Sequence, residues 1–324
     1  MNKILVTGGS GFIGTNLIEH YKSIGDKVFN IDVKQPRNIG HVDQWYKVDI
    51  LDKDKLAIIV KEIEPNIVFH MAARTDLNGL NVDRYDVNTK GIENLISALN
   101  EINSLDFVVF ASSMLVCRLG YKPSSEVDYC PNTPYGESKV IGEGLIRSSN
   151  TTFPWVIVRP TSIWGPWFGV PYRDFFDMIR KGFYVHPKGV RVRRSYGFIY
   201  NSIFQLSRIA DRLNDSLVGK TIYLADYQPV ELKSWSENIQ KSLKVREVKE
   251  APMLLFKVAA KLGDTLKIFG YKNPPMSSFR LNNMLTPMVH DTTPLEKYCG
   301  AAPYSINEGV IVTCEWLLTH KKIK

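Results

Sequence analysis

A chain of 324 residues, 44% hydrophobic and 23% charged, can fill one large core or two smaller ones and is not expected to be disordered. The formal net charge of +8 suits an anionic partner, but the densest basic run is only Arg191–Arg194, so no nucleic-acid tract is expected. No apolar run reaches the ~20 residues that cross a bilayer, and four scattered cysteines and scattered histidines argue against a metal site and for a reducing, cytoplasmic setting.

The first apolar run, KILVTG (Lys3–Gly8), reads as a buried strand and leads into a helix from Phe12 to about Ile24. KVFNID (Lys27–Asp32) is the next strand, and Leu56–Ile63 reads as a helix. NIVFHMAA (Asn66–Ala73) is a strand, Asn88–Ile102 a helix and DFVVFASS (Asp106–Ser113) a strand. A helix opening at Pro134 and a strand at Pro154–Pro160 complete the run. Continuous apolar strands alternating with helices predict an α/β fold, a doubly wound parallel sheet covered on both faces. From Thr161 onward the pattern loosens, with more proline and aromatics, and predicts a smaller, loop-rich α+β region.

TGGSGFIG (Thr7–Gly14) lies between the first strand and the first helix. Its glycines fit both G-x-G-x-x-G (Gly9, Gly11, Gly14) and G-x-x-G-x-x-G (Gly8, Gly11, Gly14) spacings. Such a turn lets backbone approach a pyrophosphate, which the helix N-terminus then faces with its partial positive charge. Asp32 ends the second strand, where a carboxylate accepts from ribose hydroxyls. A 2′-phosphate would be repelled there, so NAD is favoured over NADP. Lys34 and Arg37 stand nearby as a partial offset.

Tyr135 and Lys139 in PYGESK are four residues apart, and so are Tyr184 and Lys188 in YVHPK. Thr133 can cap a helix and Pro134 suits its first position, so the first pair falls on one helical face. Pro187, with Gly182 and Gly189 around it, prevents the second from doing so.

TGGSGFIG, Asp32, Asp49-Ile50, HMAA (His70–Ala73), Asn88, FASS (Phe110–Ser113), PYGESK and RPTSIWGP (Arg159–Pro166) occur in that order. In this the chain resembles the extended short-chain dehydrogenase/reductase family, the NAD-dependent nucleotide-sugar epimerases and dehydratases. The resemblance is dense through residue 166 and thinner after it. It implies a Rossmann NAD-binding domain over 1–160 and a mainly substrate-binding region over 161–324, some of whose segments return to the first. It implies cofactor contacts from Gly8, Gly11, Phe12, Ile13, Gly14 and Asp32. Asp49 and Ile50 would lie by the adenine, Ala72 and Ala73 along the cofactor cleft, and Ile163 near the nicotinamide. Asn88, counted with these, would brace the central sheet. Tyr135 and Lys139 would stand beside the nicotinamide. There the ammonium and the oxidised ring would favour the phenolate, making Tyr135 the base. Ser113 would bind the substrate hydroxyl and help move its proton.

Dehydratases of this kind carry an Asp-Glu pair after the serine or threonine, and related decarboxylases a Glu. Here Met114 and Leu115 follow Ser113. The expected activity is therefore 4-epimerisation of a nucleotide sugar through a transient 4-keto intermediate. A 4-ketoreductase and a non-catalytic dinucleotide sensor are the alternatives. Arg194 and Arg280 are candidates for the substrate diphosphate. Departures are Asn201 and Ser202, where the family has acidic residues, and Cys117, where it has Tyr. The lysine-interrupted apolar run Leu254–Gly270 is expected to pack on the protein's own core, with a membrane surface as the other reading. A homodimer through helices 88–102 and 134–148 is implied by the resemblance, with apolar surface from Ile92, Leu95, Ile96, Leu99, Val140 and Ile141.

Overall fold

The computed structural model describes residues 1–211, 216–271 and 274–320. Seven strands form one sheet. Six come from the first half: β1 (Lys3–Thr7), β2 (Lys27–Asp32), β3 (Trp45–Lys47), β4 (Ile67–His70), β5 (Phe107–Ala111) and β6 (Trp155–Pro160). The seventh is Thr221–Leu224. The order across the sheet is Thr221–Leu224, β6, β5, β4, β1, β2, β3, and every pairing is parallel.

Both faces are covered, which is why the strands read as unbroken apolar runs. Leu5, Val68, Val108 and Ile157 enter one core with α2 (Lys53–Ile63) and α3 (Lys90–Leu99). On the other face lies α1 (Phe12–Ser23), whose Tyr21 ring is 5.4 Å from that of Phe69. This helix packs in turn on Ile199–Asp211. The doubly wound α/β class expected from the sequence is the one observed. Because β2 and β4 flank β1 on opposite sides, the strand order reverses there. The carboxyl ends of β1 and β4 thus border the crevice where such sheets take ligands.

The chain divides into two compact units. The first comprises Met1–Ile163, Gly197–Tyr227 and Asp291–Pro303 and holds the whole sheet. The second comprises Trp164–Tyr196, Gln228–His290 and Tyr304–Lys324. In the second, Leu232–Leu243 packs against Tyr172–Arg180 and Ile306–Thr319. Trp164, Phe176 and Trp235 meet there with ring centroids 5.2–5.8 Å apart.

One expectation changes. The helix Met253–Ile268 packs on Ser278–Leu285 through Phe256 and Ala260, which meet Leu281. Leu254, Leu255, Val258, Leu262 and Leu266 are exposed, so only the Phe256–Ala260 side of the stripe packs on the protein's own core. Of the six residues assigned to a dimer face, Ile92, Leu95, Ile96 and Leu99 are buried among the sheet's core residues. Val140 is half-buried and Ile141 exposed. The apolar face of α3 is used by its own sheet.

The helix that matters most for the site is α4 (Pro134–Ser148). Thr133 caps it by accepting from the Gly136 N–H at 3.0 Å, and Pro134 sits in its first turn. Deeper along it, Glu143 is fully buried and faces Arg159 of β6. Arg159 donates from Nε at 2.8 Å and from a terminal nitrogen at 2.7 Å. Ser112 at 2.6 Å and Tyr129 at 2.8 Å donate to the same carboxylate. The helix is thereby fastened to β6 and to the end of β5.

Removing one partner of such a pair leaves the other charge buried and alone. Arg159→Met should lower unfolding free energy in urea by about 3–5 kcal/mol. Adding Glu143→Leu to it should recover part of that loss, because the double variant buries no charge. Losses that add in the double variant would show that the two side chains do not act as a pair.

Candidate active site

The turn Gly8–Gly14 runs from β1 into α1. Gly8 has φ +73°, and a Cβ there would lie 2.6 Å from the backbone N of Ala72. A Cβ on Gly14 would lie 2.6 Å from Gly9 Cα. Those glycines are required by the protein's own packing. Gly11 differs: its φ is −77°, and an added Cβ would meet only the Gly8 carbonyl, at 3.0 Å. The helix begins at Gly11 with no side-chain cap and no acidic residue in its first turn. Phe12 and Ile13 form that turn and are half-buried.

Asp32 stands over this turn, accepting from the Ser10 N–H at 3.1 Å and the Lys34 N–H at 2.9 Å. Each oxygen keeps room for a further donor. Burial raises its pKa, against the opposing pull of those backbone donors. The Arg37 guanidinium donates to the Ser10 carbonyl at 3.3 Å, and burial lowers its pKa. Both charged groups thus border the same turn.

The remaining residues of the first half fall around the same sheet edge. Asp49 is exposed and accepts from the Leu51 N–H at 3.0 Å. Ile50 is buried, and a Cβ on Gly91 of α3 would lie 2.6 Å from its Cδ1. Ala72 and Ala73 follow β4 and are half-buried. Asn88 uses its whole amide within the protein. It accepts from Arg74 N–H at 2.8 Å and donates to Arg74 O at 3.0 Å and Ser138 Oγ at 2.9 Å. It therefore ties the segment after β4 to α4. Ile163 is buried at the end of the first unit.

Tyr135 and Lys139 share the buried face of α4. Ser113 acts on the Tyr135 phenol against the effect of its burial, and Ser113 Oγ accepts from the Leu115 N–H at 3.1 Å. A Cβ on Gly136 would lie 3.2 Å from the Leu115 carbonyl carbon, so this glycine lets the turn after Ser113 close onto α4. Lys139 Nζ donates to the Ala111 carbonyl at 2.9 Å. The serine, the tyrosine and the lysine thus meet at the end of β5. The rival pair does not form a site of this kind: Tyr184 hydrogen-bonds His186 at 3.0 Å on the strand Val185–Pro187, and Lys188 is exposed beyond it.

Charge behaves differently from the sequence expectation. Burial raises the Tyr135 pKa, Ser113 opposes that, and Lys139 is not among the groups that shift it. Without a bound cation the phenol is therefore neutral at ordinary pH. Burial also lowers Lys139 to about 8, with the Glu143 charge pulling the other way. Behind it, His70 accepts or donates one hydrogen bond with Thr7 Oγ1 at 2.7 Å. Burial first and Lys139 second lower His70 to about 3.

Arg194 and Arg280 lie in the second unit. Arg194 donates twice to the Thr286 carbonyl, at 2.9 and 3.2 Å. Arg280 is exposed and donates to the Pro275 carbonyl at 3.1 Å. Among the described residues no His, Cys, Asp or Glu cluster could hold a metal. Sequence reasoning missed Glu143, Arg159, Ser112, Tyr129 and His70. The only sequence signal for Glu143 was its place one helical turn beyond Lys139.

The model of the NAD dependent epimerase/dehydratase family matches residues 4–187, more than half of the chain. The chain belongs to that family. It is therefore an NAD-dependent enzyme, in agreement with the resemblance read from the motifs. Among curated proteins it is 23% identical to an N-acetyl-α-D-glucosaminyl-diphospho-ditrans,octacis-undecaprenol 4-epimerase of Escherichia coli O157:H7, over 99% of this chain and 97% of that one. Two solved structures share its fold. An epimerase from Methanothermobacter thermautotrophicus aligns with TM-score 0.76 at 20% identity, over 99% of this chain and 94% of that one. A UDP-glucuronic acid 4-epimerase from Bacillus cereus aligns with TM-score 0.73 at 20% identity, over 98% and 99%. The family's cofactor fits what is present. The turn is closed against any Cβ at Gly8 and Gly14, it opens an uncapped helix, and a half-buried carboxylate with spare acceptor capacity stands beside it.

Two outcomes follow. Gly11→Ala should leave the urea midpoint nearly unchanged yet lower NADH affinity at least about tenfold by fluorescence titration, whereas Gly8→Ala should also destabilise, by about 1–2 kcal/mol. Lys139 binds its proton more weakly folded than unfolded, so its burial costs most below about pH 8. That cost fades as pH rises toward the unfolded value of about 10.4. Lys139→Met should therefore flatten the rise in stability between those pH values by about 3 kcal/mol, read as a pH series of urea midpoints.

Proposed function

We propose that this enzyme is an NAD-dependent 4-epimerase of a diphosphate-linked sugar, with a nucleotide sugar as substrate. The observation that carries the reading is the single proton-handling group at the end of β5. Ser113 opposes the burial shift of Tyr135, and the two residues after Ser113 are Met114 and Leu115. Neither can give or take a proton. An elimination needs an acid and a base on different carbons, so dehydration has no second group here. A 4-epimerisation moves one proton off one oxygen and returns it.

In this reading Gly8, Gly11, Phe12, Ile13 and Gly14 hold the cofactor's pyrophosphate, and Asp32 holds its adenosine ribose. Asp49 and Ile50 lie by the adenine. Ala72, Ala73 and Ile163 line the cleft, while Asn88 braces it from behind. Bound NAD supplies hydride acceptance from C4 and return to either face of the resulting ketone. Tyr135 Oη takes the hydroxyl proton on oxidation and gives it back on reduction, so the proton count is unchanged over a turnover. Ser113 holds the same hydroxyl in line with Tyr135. The Lys139 ammonium anchors the nicotinamide ribose. Arg194 and Arg280 serve the substrate diphosphate. The Escherichia coli relative's named substrate carries its sugar on a polyprenyl diphosphate, so the carrier is a separate question from the sugar chemistry.

The test is product analysis by mass spectrometry and chromatography on a panel of UDP-, GDP- and polyprenyl-diphosphate sugars with catalytic NAD. Interconversion of C4 epimers without net NADH formation is expected. Tyr135→Phe should lower kcat by about 10²–10⁴-fold while NADH binding persists. Stoichiometric NADH consumption on a 4-keto sugar, with no epimerisation, would establish the ketoreductase instead.

A further inference from the structure

The helix Met253–Ile268 turns the wrong way for a core helix. Phe256, Ala260 and Gly263 are its buried residues. At 3.6 residues per turn they mark one side. Leu254, Leu255, Val258, Leu262, Leu266 and Phe269 mark the other, across an arc of about 120°. All six are exposed, Leu254 by 69% and Phe269 by 82%. Among the described residues of the second unit nothing covers them. Lys257 and Lys261 border one edge of this arc, with Lys267 further round. The one acidic residue of the helix, Asp264, is engaged by the Ser278 N–H at 3.1 Å.

We propose that this face docks the enzyme on the surface of an anionic lipid bilayer. Leucines and a phenylalanine on one side with lysines beside them are the pattern of a helix lying in a membrane interface. A second copy of the chain fits less well, since lysine is depleted where protein meets protein, whereas it is attracted to anionic headgroups. The helix has 16 residues and so spans roughly 24 Å, too short to cross. Among the described residues no helix is long and apolar enough to do so. The face therefore rests on the membrane with its axis in the plane. This inference does not depend on the epimerase reading.

The full chain is mixed with phosphatidylcholine vesicles, with or without phosphatidylglycerol, and sedimented. Binding to the phosphatidylglycerol vesicles is expected, weakened by added salt. Leu262→Glu with Phe269→Glu should lower the partition constant by more than about 100-fold. Lys257→Gln with Lys261→Gln should lower it by roughly 30-fold. These side chains are exposed, so circular dichroism should be unchanged. Sedimentation velocity without lipid provides the second measurement. No binding to phosphatidylglycerol vesicles overturns the proposal, as does binding that both sets of substitutions leave intact. Self-association abolished by Leu262→Glu, with no lipid binding, overturns it in favour of a contact between copies.

Discussion

The buried contact between Glu143 and Arg159 is the constraint on which the site rests. Bringing a carboxylate and a guanidinium out of water is costly, and only well-aligned hydrogen bonds offset that cost. Glu143 has them: two from Arg159, one from Ser112 and one from Tyr129. An apolar pair of the same volume could hold α4 against the sheet with similar strength. It would not hold it in one rotation, because apolar packing has no direction. The bidentate pair fixes the angle of α4, and Lys139 and Tyr135 are presented by the same helix about one and two turns earlier. Ser112 is part of the network and Ser113 is the next residue. The serine and the tyrosine therefore inherit their relative position from a contact neither of them makes.

The same burial sets the charge state. With the site closed to water, both ionisable groups are pushed toward neutrality: the tyrosine upward and the lysine downward. His70 is driven the same way behind them, and the Lys139 charge adds to the effect. Glu143 opposes this at Lys139, so the structural pair also has an electrostatic effect on the working face of α4. A neutral phenol beside a weakened ammonium is a poor base by itself. The sequence reading gave Lys139 the role of lowering Tyr135. The protein gives it a hydrogen bond to Ala111 O instead, and any strong favouring of the phenolate must come from a cation added on binding.

What could be read from the sequence was local. The strands β1, β2, β4, β5 and β6, the glycine turn, the cap at Thr133 and the Tyr135–Lys139 spacing each depend on neighbours within a turn or two. Trp45–Lys47 was missed because three residues carry no period. Thr221–Leu224 was missed because its apolar run sits in a region already assigned to another kind of fold. The network around Glu143 joins residues 112, 129, 143 and 159, and no spacing rule links them. The helix Met253–Ile268 failed for another reason. A 3.6-residue pattern shows that a helix has two sides, but this one is apolar on both, and only packing decides which side faces in.

The turn after Ser113 carries the same lesson into the chemistry. Ser113 Oγ accepts from the Leu115 N–H, and Gly136 lets the Leu115 carbonyl press against α4. The backbone here is held from both sides, so the direction of residues 114 and 115 is set by structure rather than by their own side chains. A carboxylate at either position would be carried into the neighbourhood of Ser113 and Tyr135 at fixed angle. With methionine and leucine there, the same scaffold offers one hydroxyl, one phenol and one ammonium. That set can move a single proton reversibly on and off one oxygen. The proposed epimerase reading rests on these two apolar side chains, Met114 and Leu115, with Tyr135 as the group it places at one carbon.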